Sequence, residues 1–240
     1  MGTILNIETA TTVCSVAISR NGEVIAVMEE NSGFSHAEKL TRFIEHVCRQ
    51  AKTELPQLDA IAVSSGPGSY TGLRIGVSTA KGICYALDKP LISVPTLFCI
   101  ATGIRKKLFS ERKSEDWSPE IPLPVHLIPM IDARRMEVYR AIYSFDLKEL
   151  EKAGSEIISE TSLDHFTKGN RCYFGGDGST KLRTFFKNQD AGTIWEDILP
   201  SAHYLAEEAE RKFNRKEFEN TSLFEPFYLK EYVPGKPKAK

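Results

Sequence analysis

Three short apolar runs, each closed by turn residues, come before the first helix, and this opening restricts the fold more than anything else in the chain. Ile4 to Glu8 reads as a strand ending on an acidic residue, and Cys14 to Ser19 as a second with Val16 and Ile18 on one face. Arg20-Asn21-Gly22-Glu23 is a hairpin signal, because Asn-Gly accepts the positive φ of a tight turn. Val24 to Met28 follows as a third strand. Ser35 and Glu38 then stand at capping-box spacing. Leu40, Phe43, Ile44, Val47, Cys48 and Ala51 recur at helical period, which predicts an amphipathic helix over 36–52. Asp59–Ser64 reads as a buried strand, 71–87 as a second helix and Leu91–Val94 as a further strand.

The order β-β-β-α-β-α-β resembles that of the ribonuclease H-like fold, which is duplicated in actin, sugar kinases and Hsp70. The expectation is an α/β protein with a two-lobed actin-like fold, its mixed sheets carrying three antiparallel strands followed by parallel α/β units. The first lobe spans 1–105. Polar residues 106–120 read as a surface excursion or linker, and the second lobe spans 106–233. Val125–Ile131, Glu137–Tyr143 and Arg171–Phe174 are its strands. A helix over 201–213 carries Leu205, Ala206, Ala209 and Phe213 on one face, with packing back on the first lobe as an option. Residues 234–240 read as a disordered basic tail.

A net charge of -1 argues against a nucleic-acid-binding domain, since such domains are strongly basic. Any RNA contact would come mainly from a partner. The cysteines (Cys14, Cys48, Cys84, Cys99 and Cys172) are scattered, with no CxxC pair, so neither a disulfide framework nor a zinc knuckle is implied. No signal peptide or membrane-spanning stretch is visible, and cytoplasm is the expected compartment.

Two segments have the residue types of a phosphate site. The turn Glu8-Thr9-Ala10-Thr11-Thr12 offers a carboxylate that would orient hydrated magnesium and hydroxyls and amides for phosphate oxygens. Glu8, Thr9, Thr11 and Thr12 are the candidates; a threonine-rich turn that only caps a hairpin is the alternative. The second is Ser65-Gly66-Pro67-Gly68-Ser69-Tyr70-Thr71-Gly72, which follows a strand and opens a helix, the context for an anion at a helix N-terminus. Gly66, Gly68 and Ser69 are its candidates. It lacks the Gly-Lys-Ser/Thr ending of a Walker A loop. The alternative is a structural turn leading to a glycine-faced helix that packs tightly.

The stretch Gly66–Gly76, continuing through Ala80-Lys81-Gly82, resembles the TsaB (YeaZ) family, a subunit of tRNA threonylcarbamoyladenosine biosynthesis. So do Ile4–Thr11, His36-Ala37-Glu38-Lys39-Leu40, Leu58–Val63, Asp132–Tyr139 and Pro226-Phe227-Tyr228-Leu229-Lys230. The similarity is dense over residues 3–100 and sparse beyond. It implies a non-catalytic subunit, with no catalytic residue and no metal of its own. Such a subunit is required for threonylcarbamoyl transfer to N6 of adenosine 37 in tRNAs reading A-starting codons. The sister subunit TsaD performs the transfer with a metal held by His-x-x-x-His; the corresponding positions here are Thr96 and Ile100, neither an adequate transition-metal ligand.

The resemblance further implies partner-binding first-lobe helices, with His36, Leu40, Phe43, Val47, Gly72, Leu73, Gly76, Val77 and Ala80 at the interface. It implies TsaE as a further partner, tRNA reached through the complex, and ATP or ADP with magnesium as the nucleotide at the complex interface. The same apolar helix faces could self-associate into a homodimer when the partner is absent, and the sequence does not choose between the two. Lys230, Lys236, Lys238 and Lys240 would add weak attraction to tRNA or simply form a solvated tail. The alternative function is a stand-alone actin-like ATPase or small-molecule kinase, with Asp132 and Asp177 as catalytic candidates. Peptidase activity is rejected, because neither HExxH nor GxSxG occurs.

Overall fold

The computed structural model describes residues 1–31, 33, 36–111, 124–185 and 192–230, apart from the side chains of 163 and 164. The expected cap Ser35, most of the 106–120 excursion and the tail 234–240 lie outside the described residues.

The first lobe comprises β1 (Thr3–Glu8), β2 (Val13–Arg20), β3 (Glu23–Asn31), α1 (His36–Ala51), β4 (Ala60–Ser64), α2 (Tyr70–Leu87) and β5 (Leu91–Val94). Its sheet runs β3-β2-β1-β4-β5. The first three strands pair antiparallel and β1-β4-β5 parallel, with Leu5 opposite Ile18 on one side and Ile61 on the other. α3 (Thr96–Glu111) follows. The second sheet is built from β6 (Val125–Asp132), β7 (Glu137–Ser144), β8 (Glu149–Ile157), β9 (Arg171–Gly175) and β10 (Thr193–Trp195). Its order, β10-β9-β6-β7-β8, repeats the first sheet's when each is read from its third strand, and the antiparallel and parallel pairings fall in the same places. Helical cover here is smaller: α4 (Glu160–Thr167) stands where α1 does, and a 3-10 helix (Asp177–Thr184) where α2 does.

Two helices tie the sheets together. α3 packs on the second sheet, where Leu97, Ile100, Ala101, Ile104 and Leu108 meet Leu127, Ile131, Tyr143 and Tyr173. α5 (Ala202–Arg215) packs on the first sheet, where Leu205 and Ala209 meet Ile4, Ala60, Ala62, Ile92 and Val94. Each lobe's last helix is thus covered by the other lobe or by the crossing between them.

Residues 106–111 are helical, correcting the expectation of a linker from residue 106. The apolar residues of α3 lie on almost every side over its first turns, so it shows no stripe. A helix buried all round has that composition. β8 was also unforeseen: its sequence, ELEKAGSEI, is that of a largely solvated edge strand, where charge is the rule.

Candidate functional site

β1 delivers Glu8 into the interior, where its side chain has no solvent exposure. Oε1 accepts from the Ala10 amide at 2.6 Å and the Ser64 hydroxyl at 2.9 Å, while Oε2 has no hydrogen-bond partner among the described residues. Burial pushes the carboxyl up to about 7, outweighing the hydrogen bonds from Ala10, Ser64 and Thr9 that favour the charged form.

α2 begins directly on the turn that follows Glu8. Ser69 caps the helix, its Oγ accepting from the Gly72 amide at 3.2 Å, and its own amide donates to the Ala10 carbonyl at 2.6 Å. The Thr9 hydroxyl donates to the Gly72 carbonyl at 2.8 Å. A Cβ would stand 2.3 Å from the Ala10 carbonyl oxygen at Gly68, 2.2 Å from the Thr9 carbonyl oxygen at Gly72 and 2.2 Å from Thr9 Oγ1 at Gly76. Only glycine lets a helix backbone come this close. On another side, His36 opens α1 with its Nε2 2.8 Å from the Thr11 carbonyl oxygen and braces the same turn.

The structure therefore gathers Glu8, Thr9, Thr11, Gly66, Gly68 and Ser69 at one point, with Thr12 half-buried at the end of the turn. Their hydrogen bonds run to neighbouring parts of the chain, at Ala10, Ser64, Gly72 and Thr96. The Gly66 amide donates to Thr96 Oγ1 at 3.1 Å, and the Thr96 amide returns a bond to the Gly66 carbonyl at 2.9 Å. ATP or ADP with magnesium does not fit this cradle. The Ser69 and Gly72 amides at its helix opening already have acceptors within the chain, and its carboxyl is sealed and partly protonated at neutral pH.

The residues expected at a partner interface need a correction. Leu40, Phe43, Val47, Val77 and Ala80 belong to the first lobe's own core. Leu73 and His36 are likewise buried, and Gly72 and Gly76 face Thr9. Inward positions repeat at the same helical period whether the helix covers a sheet or a partner, so spacing did not distinguish the two. The outward face of α2 carries Thr71, Arg74, Ser78, Gly82 and Tyr85 instead. Tyr85 is 88% exposed, and a Cβ at Gly82 would meet nothing within 4 Å.

Thr96 and Ile100 are both spent on packing, Thr96 against the glycine loop and Ile100 against the second sheet. Of the other histidines, none joins a set: among the described residues no group of three or more His, Cys, Asp or Glu could hold a metal ion. Burial pushes the Cys14 thiol up to about 11 and those of Cys84 and Cys172 to about 12, which removes them as nucleophiles near neutrality.

The second lobe repeats the arrangement loosely. Asp132 ends β6 as Glu8 ends β1, and Gly176-Asp177-Gly178 follows β9 as the glycine loop follows β4. The Asp132 amide donates to Asp177 Oδ1 at 3.0 Å, and Lys181 Nζ and the Arg134 amide donate to Asp132 Oδ1 at 2.6 and 2.5 Å. Burial raises the Asp177 carboxyl. Both acids proposed for a kinase are thus engaged in holding this turn.

A strap from Glu219 to Lys230 was not foreseen. Its Glu219 amide donates to the Leu91 carbonyl at 2.9 Å, covering the β5 edge, and its Phe227 amide donates to the Ser65 carbonyl at 2.7 Å. Tyr228 lies 5.0 Å from Tyr70, ring to ring, and accepts from Arg74 Nε at 3.3 Å. Lys230 pairs with Glu137 of β7, so the strap reaches the second lobe. The aromatic pattern Pro-Phe-Tyr-Leu was the available signal.

Two sheets of one topology joined by crossing helices define an actin-like protein, here one whose first-lobe glycine loop is packed shut. The sequence profile described as TsaD: tRNA N6-adenosine threonylcarbamoyltransferase matches residues 24–229, and the chain belongs to that family. Its curated relatives put it in the TsaB (YeaZ) group. It is 26% identical to the tRNA threonylcarbamoyladenosine biosynthesis protein TsaB of Haemophilus influenzae over 98% of this chain and 96% of that one. The Escherichia coli protein of the same name is 34% identical over 60% of this chain and 55% of its own length. The solved structure of YeaZ from Pseudomonas aeruginosa shares the fold, with a TM-score of 0.76 at 24% identity over 95% of this chain and 100% of that one.

Proposed function

We propose that this chain serves threonylcarbamoyladenosine formation in tRNA as a non-catalytic subunit that binds and organises a TsaD-type transferase. Family membership and the TsaB relatives support the pathway. The observation that carries the supporting role is the use of the site itself. Glu8, the threonine turn and the glycine loop are spent on internal bonds, and Thr96 and Ile100 stand in packing where the sister's metal ligands are expected.

What remains for a partner is the outward surface of α1 and α2. Tyr85 projects there beside the bare backbone of Gly82, and aromatic anchors beside small residues suit a helix-against-helix contact. A TsaE-type ATPase would bring the nucleotide, and tRNA would be reached through the complex. Homodimerisation through the same face is the expected state when the partner is absent. No helix among the described residues is long and apolar enough to cross a membrane, and cytoplasm is the compartment this role calls for.

The test is reconstitution of tRNA modification with a TsaD-type partner, with and without this chain, alongside Tyr85→Asp. Modification should need both proteins. Tyr85→Asp should weaken the pair about tenfold or more while leaving the melting temperature unchanged. Modification by this chain alone, or full affinity in Tyr85→Asp, would overturn the reading.

A further inference from the structure

A cavity of about 440 Å³ opens where α3 and α5 cross, on the side facing β3. Val27 and Glu29 line it from β3, Lys106 from α3, and His203 and Tyr204 from α5. Gly103 makes the crossing close: a Cβ there would stand 2.7 Å from the Tyr204 ring and 2.8 Å from Ile198. The floor is therefore tyrosine ring, isoleucine and bare helix backbone.

Three consecutive cations lie along this part of α3, and they are not treated alike. Arg105 forks onto Glu207 at 2.9 and 3.0 Å, and Lys107 onto Asp197 at 2.7 and 2.8 Å. Lys106, between them and half-buried, has no carboxylate within salt-bridge distance among the described residues. Its ammonium lies 3.4 Å from His203 Nε2 and 5.9 Å from the Tyr204 ring centre. Glu29, the acid on the cavity wall, accepts through Oε2 from Ser201 Oγ at 2.6 Å and Ser15 Oγ at 3.0 Å and makes no salt bridge with Lys106.

A half-buried ammonium beside an imidazole, with no carboxylate in salt-bridge reach among the described residues, is costly unless something brings the charge closer. Burial accordingly lowers the affinity of both Lys106 and His203 for protons, and for His203 the neighbouring ammonium adds to it. We infer that this cavity binds a small organic anion, a carboxylate or phosphate held between Lys106 Nζ and the His203 ring, its apolar part on Tyr204 and Ile198. Seated there it would touch β3 of the first lobe and α3, which is packed on the second, so it would stiffen the crossing.

The test is calorimetric titration of the full chain with inorganic phosphate and, separately, with succinate, with the His203 ring followed by NMR. His203 is faced by Lys106 and Lys107 from α3, Glu29 from β3 and Tyr204 from its own helix. An anion should therefore raise its pKa toward the ordinary range, and affinity should rise as pH falls. At least one probe should saturate below ~50 mM, weak binding by any measure. Lys106→Met should weaken it about tenfold, the value of one charge-assisted hydrogen bond. Lys107→Met, whose ammonium is already paired, should change it less than about threefold. Saturation by phosphate alone or by succinate alone identifies the anion class. Failure of both to saturate, or a Lys106→Met chain that melts normally and binds as tightly as the parent, would overturn the assignment.

Discussion

The two lobes share one strand order and one turn-and-loop arrangement, yet they use it differently. In the first, an 18-residue helix lies with two glycines, and the loop before it with a third, against the turn after β1, and the acid at the strand end is sealed. In the second, an eight-residue 3-10 helix takes the place of α2, Asp132 is exposed, and a lysine rather than a helix backbone holds it. Topology alone therefore does not make a nucleotide site. What decides is whether the amides after the strand face open space or another segment of the chain. In the first lobe the Ser69 and Gly72 amides face the chain itself, and the long helices so anchored turn their other sides to solvent.

The acids should separate the lobes most. Glu8 has a folded pKa near 7 against 4.5 unfolded. The folded state therefore holds more protons than the unfolded state between those values, and stability falls as pH rises through that window. The cost on the alkaline side is about 3 kcal/mol. Glu8→Gln should remove it, raising stability at pH 8 relative to pH 5 in urea melts. Asp132→Asn should instead lose no more than about 1 kcal/mol, the value of a solvent-reached ion pair. Equal pH profiles for Glu8→Gln and its parent would break the contrast.

Within α2 the next largest difference is between glycines. Gly76→Ala forces a Cβ onto Thr9 and should cost about 1–3 kcal/mol. Gly82→Ala enters open space on the same helix and should gain about 0.5–1 kcal/mol. Thermal melts of both variants read the two faces directly. The smallest expected effect is on the strap: Tyr228→Phe removes one exposed bond from Arg74 and should cost less than about 1 kcal/mol.

Much of the first lobe was legible because its signals are local. Asn21-Gly22 sets a hairpin, with φ of 55° and 80° at the two residues, and the apolar period of α1 is regular. The candidate site was legible in composition but not in use. Glycines 68, 72 and 76 announce a close approach without saying to what, and the answer, Thr9 and Ala10, lies about sixty residues away in sequence. Inward and outward faces of α1 and α2 share one period, so a partner surface could not be told from a core by spacing. α3 and β8 escaped for opposite reasons, the one apolar all round and the other polar because it is an edge. The strap depends on contacts between the C-terminal residues and Ser65, Arg74 and Leu91, which no local pattern records.

The central claim, that the first-lobe loop is closed upon itself and leaves no place for a nucleotide, is tested most directly by titrating the chain alone with magnesium-ATP in a calorimeter. No saturable heat is expected, for the parent or for Glu8→Gln. Saturable binding by the parent that disappears in Glu8→Gln would contradict the account, because it would show the sealed carboxyl acting on a phosphate-bound metal.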